Sequence, residues 1–124
     1  MKQVLIVDDA ATVRMYHRSI LEAAGYAVDE AINGVEALER ALSKTYDLYL
    51  VDVNMPKLDG YSFIRTLRGY AEIAQAPAVM ISTEAKISDQ IKAYEAGANL
   101  YLIKPIRPET LLGNVQLLLG EVRI

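Results

Sequence analysis

Short runs of consecutive apolar residues recur along the chain and alternate with longer stretches whose apolar positions follow helical spacing. Residues 4–7 form the first run, Val-Leu-Ile-Val, and residues 47–51 form a mostly apolar central run. Uninterrupted apolar runs are typical of strands that are buried on both faces of a parallel sheet. Further strands are predicted at residues 26–31, 78–81 and 99–103.

A segment with helical spacing follows each predicted strand. These predicted helices cover residues 10–24, a stretch starting near Asn33, residues 61–68, residues 87–96 and a stretch starting at Pro108. Strands that alternate with helices predict a doubly wound α/β fold, which is a parallel sheet with helices on both faces and right-handed crossovers.

The ends of the predicted helices carry typical signals. Asn33 followed by Glu36 predicts a capped helix start, and Asp8 or Asp9 is a candidate N-cap for the first helix. Glycine is a common helix terminator. The glycines in that position are Gly25, Gly69 and Gly97.

Polar side chains follow four of the predicted strands at their carboxyl ends. Ligands of doubly wound sheets bind outside these ends, so we expect the side chains to converge on one site. Pro56 and Gly60 predict that a loop follows Asp52, which leaves that carboxylate within reach of a ligand. The converging residues are Asp8 and Asp9 after the first strand, Asp52 after the third, Ser82 after the fourth and Lys104 after the fifth.

Three crowded carboxylates repel one another, because two unit charges about 5 Å apart cost roughly 3 kcal/mol at an effective dielectric constant of about 20. Oxygen ligands without a Cys or His partner suit a hard ion such as Mg²⁺. Lys104 adds a second positive charge. With both cations present Asp52 can act as a nucleophile toward a phosphoryl group and form an aspartyl phosphate. Ser82 is placed to hydrogen-bond a phosphoryl oxygen.

Composition narrows the range of function classes. The 124 residues, 52% of them hydrophobic, predict one globular domain over residues 1–124. The chain has no Cys, which excludes disulfides and is compatible with a cytoplasmic location. We expect no membrane span, because no apolar run is long enough. A net charge of -3 without a basic run argues against nucleic-acid binding.

At the level of motifs, the whole chain resembles the receiver domain of two-component response regulators. The motifs are Asp8-Asp9, Asp52 with MPKLDG behind it, Ser82-Thr83-Glu84-Ala85 and Lys104-Pro105, in that order. The resemblance implies a flavodoxin-like (βα)5 fold with strand order 2-1-3-4-5. It also implies that a sensor histidine kinase or phosphotransfer protein phosphorylates Asp52. Such a protein is a signalling phosphoacceptor, which assists its own phosphoryl transfer and dephosphorylation, rather than a turnover enzyme.

The resemblance also implies roles for individual residues. Mg²⁺ would be held by Asp9, Asp52 and the backbone carbonyl of Asn54, and Asp8 would hold a metal-bound water. Phosphoryl oxygens would be engaged by Ser82 and Lys104. Tyr101 matches an aromatic switch that turns inward on phosphorylation, and the implied cis peptide bond joins Lys104 to Pro105.

Several positions resemble the single-domain chemotaxis (CheY) type within this family. They are Thr12, Arg14, Asn54, Glu84 and Tyr101. Ser82 stands where Thr is more usual, and Thr83 stands where a small residue is frequent, so Thr83 is expected to narrow access to Asp52. Glu84 is a second residue expected to modulate the site. The resemblance implies a monomer that binds an output partner, for which the flagellar motor switch is a candidate. The partner face would run from Lys86 to Gly97 and include Tyr101.

Other readings remain open at this point. The chain could be a phosphate shuttle or sink in a phosphorelay, or the receiver domain of a larger regulator. A flavodoxin-like cofactor carrier is less compatible, because its phosphate loop after the first strand should be rich in Ser, Thr and Gly rather than read DDAAT. An aspartyl phosphatase would carry DxD after the first strand. The single histidine, His17, is expected at the surface or in packing.

Overall fold

The computed structural model describes residues 1–121, in which five strands and five helices alternate. All four strand pairs are parallel, and the sheet order is β2-β1-β3-β4-β5. This confirms the doubly wound, flavodoxin-like fold with order 2-1-3-4-5. The elements are β1 (Gln3–Val7), α1 (Ala11–Ala23), β2 (Ala27–Ala31), α2 (Gly34–Ser43), β3 (Leu48–Asp52), α3 (Gly60–Gly69), β4 (Ala78–Ser82), α4 (Ile87–Ala96), β5 (Leu100–Ile103) and α5 (Pro108–Leu118).

The central strands are apolar on both sides because helices cover both faces of the sheet. Every residue of β3 and β4 is buried, including the polar residues at their ends, Asp52 and Ser82. One core cluster joins the sheet to α2, α3 and α4, and the other joins it to α1 and α5. Within residues 1–121, no helix has the length and apolar character needed to cross a membrane.

The observed helix ends refine the predictions. Asn33 caps α2 by accepting a hydrogen bond from the Glu36 backbone N–H at 2.9 Å. The prediction that Asp8 or Asp9 caps α1 is wrong: Ala10 occupies the N-cap position and makes no side-chain cap bond. The acid pair lies too early, and Asp8 Oδ1 instead accepts a hydrogen bond from the Ala10 N–H at 2.9 Å.

Two strand ends lie one residue further along than predicted, which matters for the site. Asp52 is the last residue of β3, and Ser82 is the last residue of β4. Asp47 lies before β3, where its carboxylate accepts a hydrogen bond from the Gln3 N–H at 2.7 Å. The two polar site residues are therefore held by the sheet itself rather than by the loops that follow.

Candidate functional site

The three predicted acids do meet at the carboxyl end of the sheet. One carboxylate oxygen from each of Asp8, Asp9 and Asp52 lies within 4.8 Å of the others. Asp8 and Asp52 are buried, with 3% and 9% of their surfaces exposed, and Asp9 is exposed. An all-oxygen cluster that is open on one side fits a hard divalent cation such as Mg²⁺.

Lys104 reaches the same cluster from the residue after β5. Its Nζ donates to Asp8 Oδ2 at 3.1 Å and to Asp52 Oδ1 at 3.0 Å. Burial lowers the pKa of Lys104, but the hydrogen bonds and negative charges of Asp52 and Asp8 outweigh burial and leave it above its ordinary value. The ammonium therefore remains charged between the two buried acids.

Lys104 does not fully compensate the negative charge around Asp52. Burial raises the pKa of Asp52, the Lys104 ammonium opposes this, and the charges of Asp8 and Asp9 raise it further. The net direction is upward from the ordinary value of 3.8. A bound cation would favour the charged form of Asp52. The donor set and its electrostatics thus both fit Mg²⁺.

The loop after β3 ends at Gly60, which packs directly against the backbone of Asp52 and Val53. The Gly60 N–H donates to the Val53 carbonyl at 2.8 Å, and a Cβ on Gly60 would lie 2.2 Å from the Asp52 carbonyl oxygen. Only glycine fits there. Asn54 is exposed in this loop, and Asp59 caps α3 by accepting a hydrogen bond from the Ser62 N–H at 2.9 Å.

Ser82 approaches from the neighbouring strand. Its buried Oγ accepts a hydrogen bond from the Glu84 N–H at 3.0 Å, which leaves the hydroxyl proton able to donate. No hydrogen bond joins Ser82 to the carboxylates within residues 1–121. Thr83 and Glu84 are exposed at the rim of the site.

Tyr101 already lies inward in this structure. Its ring is buried in the core, and its hydroxyl donates to the Glu84 carbonyl at 2.8 Å. The position expected for the phosphorylated state is therefore the one observed here. The Lys104–Pro105 peptide bond is cis.

Two residues of α1, Arg14 and His17, lie next to the site, and the sequence did not predict their contacts there. Arg14 donates from Nη1 to the Asp8 carbonyl at 2.7 Å. His17 is buried on α1, and burial lowers its pKa despite the nearby Asp8 charge. It lines a cavity of about 370 Å³ that reaches Thr83 and Lys104. The spacing of Arg14 and His17 within a helix gave no signal of either environment.

Comparison with known proteins shows which family has this sequence and this fold. The family model "Response regulator receiver domain" matches residues 4–116. The transcriptional regulatory protein ResD of Bacillus subtilis is 37% identical over 117 residues, which are 94% of this chain and 48% of that protein. The chain thus spans about half or less of the curated relatives it matches.

Similar solved structures come from the same family as the sequence relatives. The chemotaxis protein CheY4 of Vibrio cholerae is 36% identical with a TM-score of 0.90, and the match covers 95% of this chain and 98% of that one. The receiver domain of the sensor histidine kinase PA1611 of Pseudomonas aeruginosa, solved with magnesium in its active-site cleft, is 29% identical. Its TM-score is 0.88, with coverage of 96% and 98%. The chain belongs to the response regulator receiver domain family of two-component systems.

Proposed function

We propose that the chain is a phosphorylation-driven switch in which Asp52 accepts a phosphoryl group in the presence of Mg²⁺. The observation that carries the proposal is the bridge from Lys104 to Asp8 and Asp52 inside a cluster of three carboxylates. A structural ion pair needs one acid for each base, whereas this cluster keeps an excess of buried negative charge. That excess suits a cation and an incoming phosphoryl group.

The donor would be the phosphohistidine of a sensor histidine kinase or phosphotransfer protein. A carboxylate oxygen of Asp52 attacks phosphorus, the phosphorus–nitrogen bond breaks, and the donor imidazole leaves with the bonding pair. Asp9, Asp52 and the Asn54 carbonyl would hold Mg²⁺, with Asp8 binding it through water. When bound, the ion neutralises charge on the transferring phosphoryl oxygens.

The chain's own residues would then engage the product. The Lys104 ammonium is within reach of an oxygen on Asp52, and Ser82 retains a proton to donate. If Ser82 turns toward a phosphoryl oxygen, it gives up its bond from the Glu84 N–H. The Glu84 carbonyl in turn accepts from Tyr101, so the loop after β4 links the site to the switch residue. Phosphorylation shifts populations between arrangements of this loop.

The output partner would bind the face that runs from Lys86 to Gly97, and Tyr101, whose ring is buried in this structure, would act on that face from beneath. Ile87 is 75% exposed, Ile91 50% and Tyr94 46%, and all three lie on α4. A row of exposed apolar side chains on one helix is typical of a binding surface. The likeness to a chemotaxis protein supports a role in chemotaxis. In that role the protein would be a single-domain, monomeric, cytoplasmic regulator with the flagellar motor switch as partner.

A shuttle or sink in a phosphorelay would use the same acceptor chemistry without that output partner. The other alternative is that the chain is the receiver domain of a larger regulator. The match covers only about half the length of three curated relatives, which favours this alternative over the phosphate shuttle or sink. Modulation by Thr83 and Glu84 at the rim would set the lifetime of the phosphate in each case.

The test is the intact mass of the protein after treatment with acetyl phosphate and Mg²⁺. We expect a gain of about 80 Da, the mass of one phosphoryl group, in the wild type. Asp52→Asn and addition of EDTA should each abolish the gain. Asp59→Asn is the matched control, because it removes an acid from the same loop and keeps a helix cap. A gain that persists in Asp52→Asn, or none in the wild type, would contradict the proposal.

A further inference from the structure

The turn between β1 and α1 carries Asp8 and Asp9. The guanidinium of Arg14 bonds the backbone of this turn. Arg14 lies on α1, and 15% of its side chain is exposed. Its Nη1 donates to the Asp8 carbonyl oxygen at 2.7 Å, and its Nε donates to Glu30 Oε1 at 2.8 Å. Glu30 lies on β2, so the side chain ties the turn to the neighbouring strand.

Asp8 is thereby fixed at both its backbone and its carboxylate. Its N–H donates to the Ala31 carbonyl at 3.1 Å, and its carbonyl accepts from Arg14. Its Oδ1 accepts from the Ala10 N–H at 2.9 Å, and its Oδ2 accepts from Lys104 at 3.1 Å. Two side chains take part in this arrangement: Lys104 bonds the Asp8 carboxylate, and Arg14 bonds the Asp8 backbone.

We propose that Arg14 is a positioning residue for the cation site. By bridging Glu30 and the Asp8 carbonyl, it fixes the backbone from which the Asp8 and Asp9 carboxylates project. The proposal rests on the proposed function, since the cation is the one required for phosphorylation of Asp52. Groups that orient metal ligands through hydrogen bonds contribute strongly to metal affinity.

The same ion-pair network supplies a matched control. Arg18 donates from Nη1 to Glu30 Oε2 at 2.6 Å and also pairs with Glu22 at 3.2 Å, but it makes no hydrogen bond to Asp8. Removal of Arg18 therefore weakens the hold on Glu30 and leaves the Asp8 carbonyl bond in place. An effect of Arg14 that is confined to helix or strand stability should be shared by both variants.

The direction in which Mg²⁺ affinity changes when Arg14 is replaced distinguishes a positioning role from a purely electrostatic one. Removal of a positive charge near a cation site strengthens cation binding if only the electrostatic field matters. Loss of positioning weakens it. Arg14→Lys keeps the charge, but its ammonium lacks the planar fork that spans two acceptors.

The experiment measures Mg²⁺ affinity by calorimetry for the wild type, Arg14→Gln, Arg14→Lys and Arg18→Gln. We expect binding about tenfold weaker in Arg14→Gln, since loss of a partner that orients a metal ligand costs about 10- to 100-fold in affinity. Arg14→Lys should stay close to Arg14→Gln, and Arg18→Gln should match the wild type. Thermal unfolding of each variant without metal reports its stability separately.

Equal affinity in Arg14→Gln and Arg18→Gln, tighter binding in Arg14→Gln, or full recovery in Arg14→Lys would overturn the proposal. A second readout needs no metal: hydrogen exchange of the Ala10 amide, which bonds to Asp8 Oδ1. Exchange should be faster in Arg14→Gln than in Arg18→Gln, and equal rates would overturn the positioning role. A wild type that binds no Mg²⁺ would reject the proposed function and the cation-site role together, and amide exchange would still decide whether Arg14 positions Asp8.

Discussion

Tyr46 and Tyr49 lie in one core cluster with ring centroids 5.8 Å apart, but their hydroxyl groups have different surroundings. Tyr46 donates to Asp29 Oδ2 at 2.7 Å. The buried Tyr49 hydroxyl has no hydrogen-bond partner within the described part of the chain. Burial raises the pKa of Tyr49, so the hydroxyl stays protonated and its desolvation is uncompensated.

We therefore expect Tyr49→Phe to stabilise the protein by about 1 kcal/mol, because an unsatisfied buried polar group costs about 1–3 kcal/mol and its removal leaves only a small void. Tyr46→Phe, which leaves Asp29 without that donor, should destabilise by about 1 kcal/mol. Urea unfolding followed by circular dichroism measures both values. Destabilisation by Tyr49→Phe of the same size as Tyr46→Phe would show that the Tyr49 hydroxyl is satisfied in solution.

At the scale of elements, the loop between β3 and α3 depends on one close approach. A Cβ on Gly60 would lie 2.2 Å from the carbonyl oxygen of Asp52, the last residue of β3, and 3.0 Å from the Cα of Val53, the buried residue that follows. Gly113, inside α5, has nothing within 4 Å of its Cβ position. Gly60 is the first residue of α3 and Gly113 lies inside α5, so only the substitution at Gly60 tests packing against a buried backbone.

Gly60→Ala should destabilise the protein by about 3 kcal/mol, since overpacking against a rigid backbone forces a strand or a helix to move. It should also slow phosphorylation, because the displaced atom belongs to Asp52. Gly113→Ala should stabilise by about 0.5–1 kcal/mol, as alanine favours a helix interior. Denaturant midpoints for the two variants decide this, and equal shifts of the same sign would contradict the close approach.

The elements themselves could be predicted because their signals are local. Apolar runs located all five strands to within a residue or two, and Gly97 marked the end of α4 with a left-handed φ of 111°. The converging acids and Lys104 followed from topology, since parallel strands end at one edge. The Arg14 bridge and the unpaired hydroxyl of Tyr49 could not be predicted, because each depends on what a side chain meets on other elements. The sequence left His17 between a surface and a packing role, and the structure shows that it is buried.

At the scale of the whole molecule, Asp52 should contribute a loss of stability to the metal-free protein as pH rises from acid toward neutral, whereas acids with a lowered pKa, such as Glu30 and Asp59, contribute in the opposite direction. The folded state raises the pKa of Asp52 above its ordinary value of 3.8. Between the ordinary and the raised value the unfolded chain has lost a proton that the folded chain still holds. Deprotonation therefore favours unfolding across this interval, and the full penalty is present above it.

The comparison of the wild type with Asp52→Asn across pH 4 to 7 measures this penalty. Without Mg²⁺, we expect the variant to melt about 3–5 °C above the wild type at pH 7, the shift that about 1 kcal/mol produces in a domain of this size. The gap should narrow as pH falls toward 4, because the raised pKa keeps Asp52 protonated to a greater extent in the folded state than in the unfolded chain. His17, whose pKa is lowered, costs stability below pH 6.5 in both proteins and so cancels from the difference.

Saturating Mg²⁺ at pH 7 should raise the melting temperature of the wild type more than that of Asp52→Asn, because the ion binds a folded site from which the variant lacks one carboxylate. A gap that does not change with pH would mean that Lys104 alone compensates Asp52. The cluster would then be a closed ion-pair network with no electrostatic demand for a cation. A gap that widens with pH and narrows with Mg²⁺ would mean that the fold holds an acid at a cost in stability that its ligand relieves.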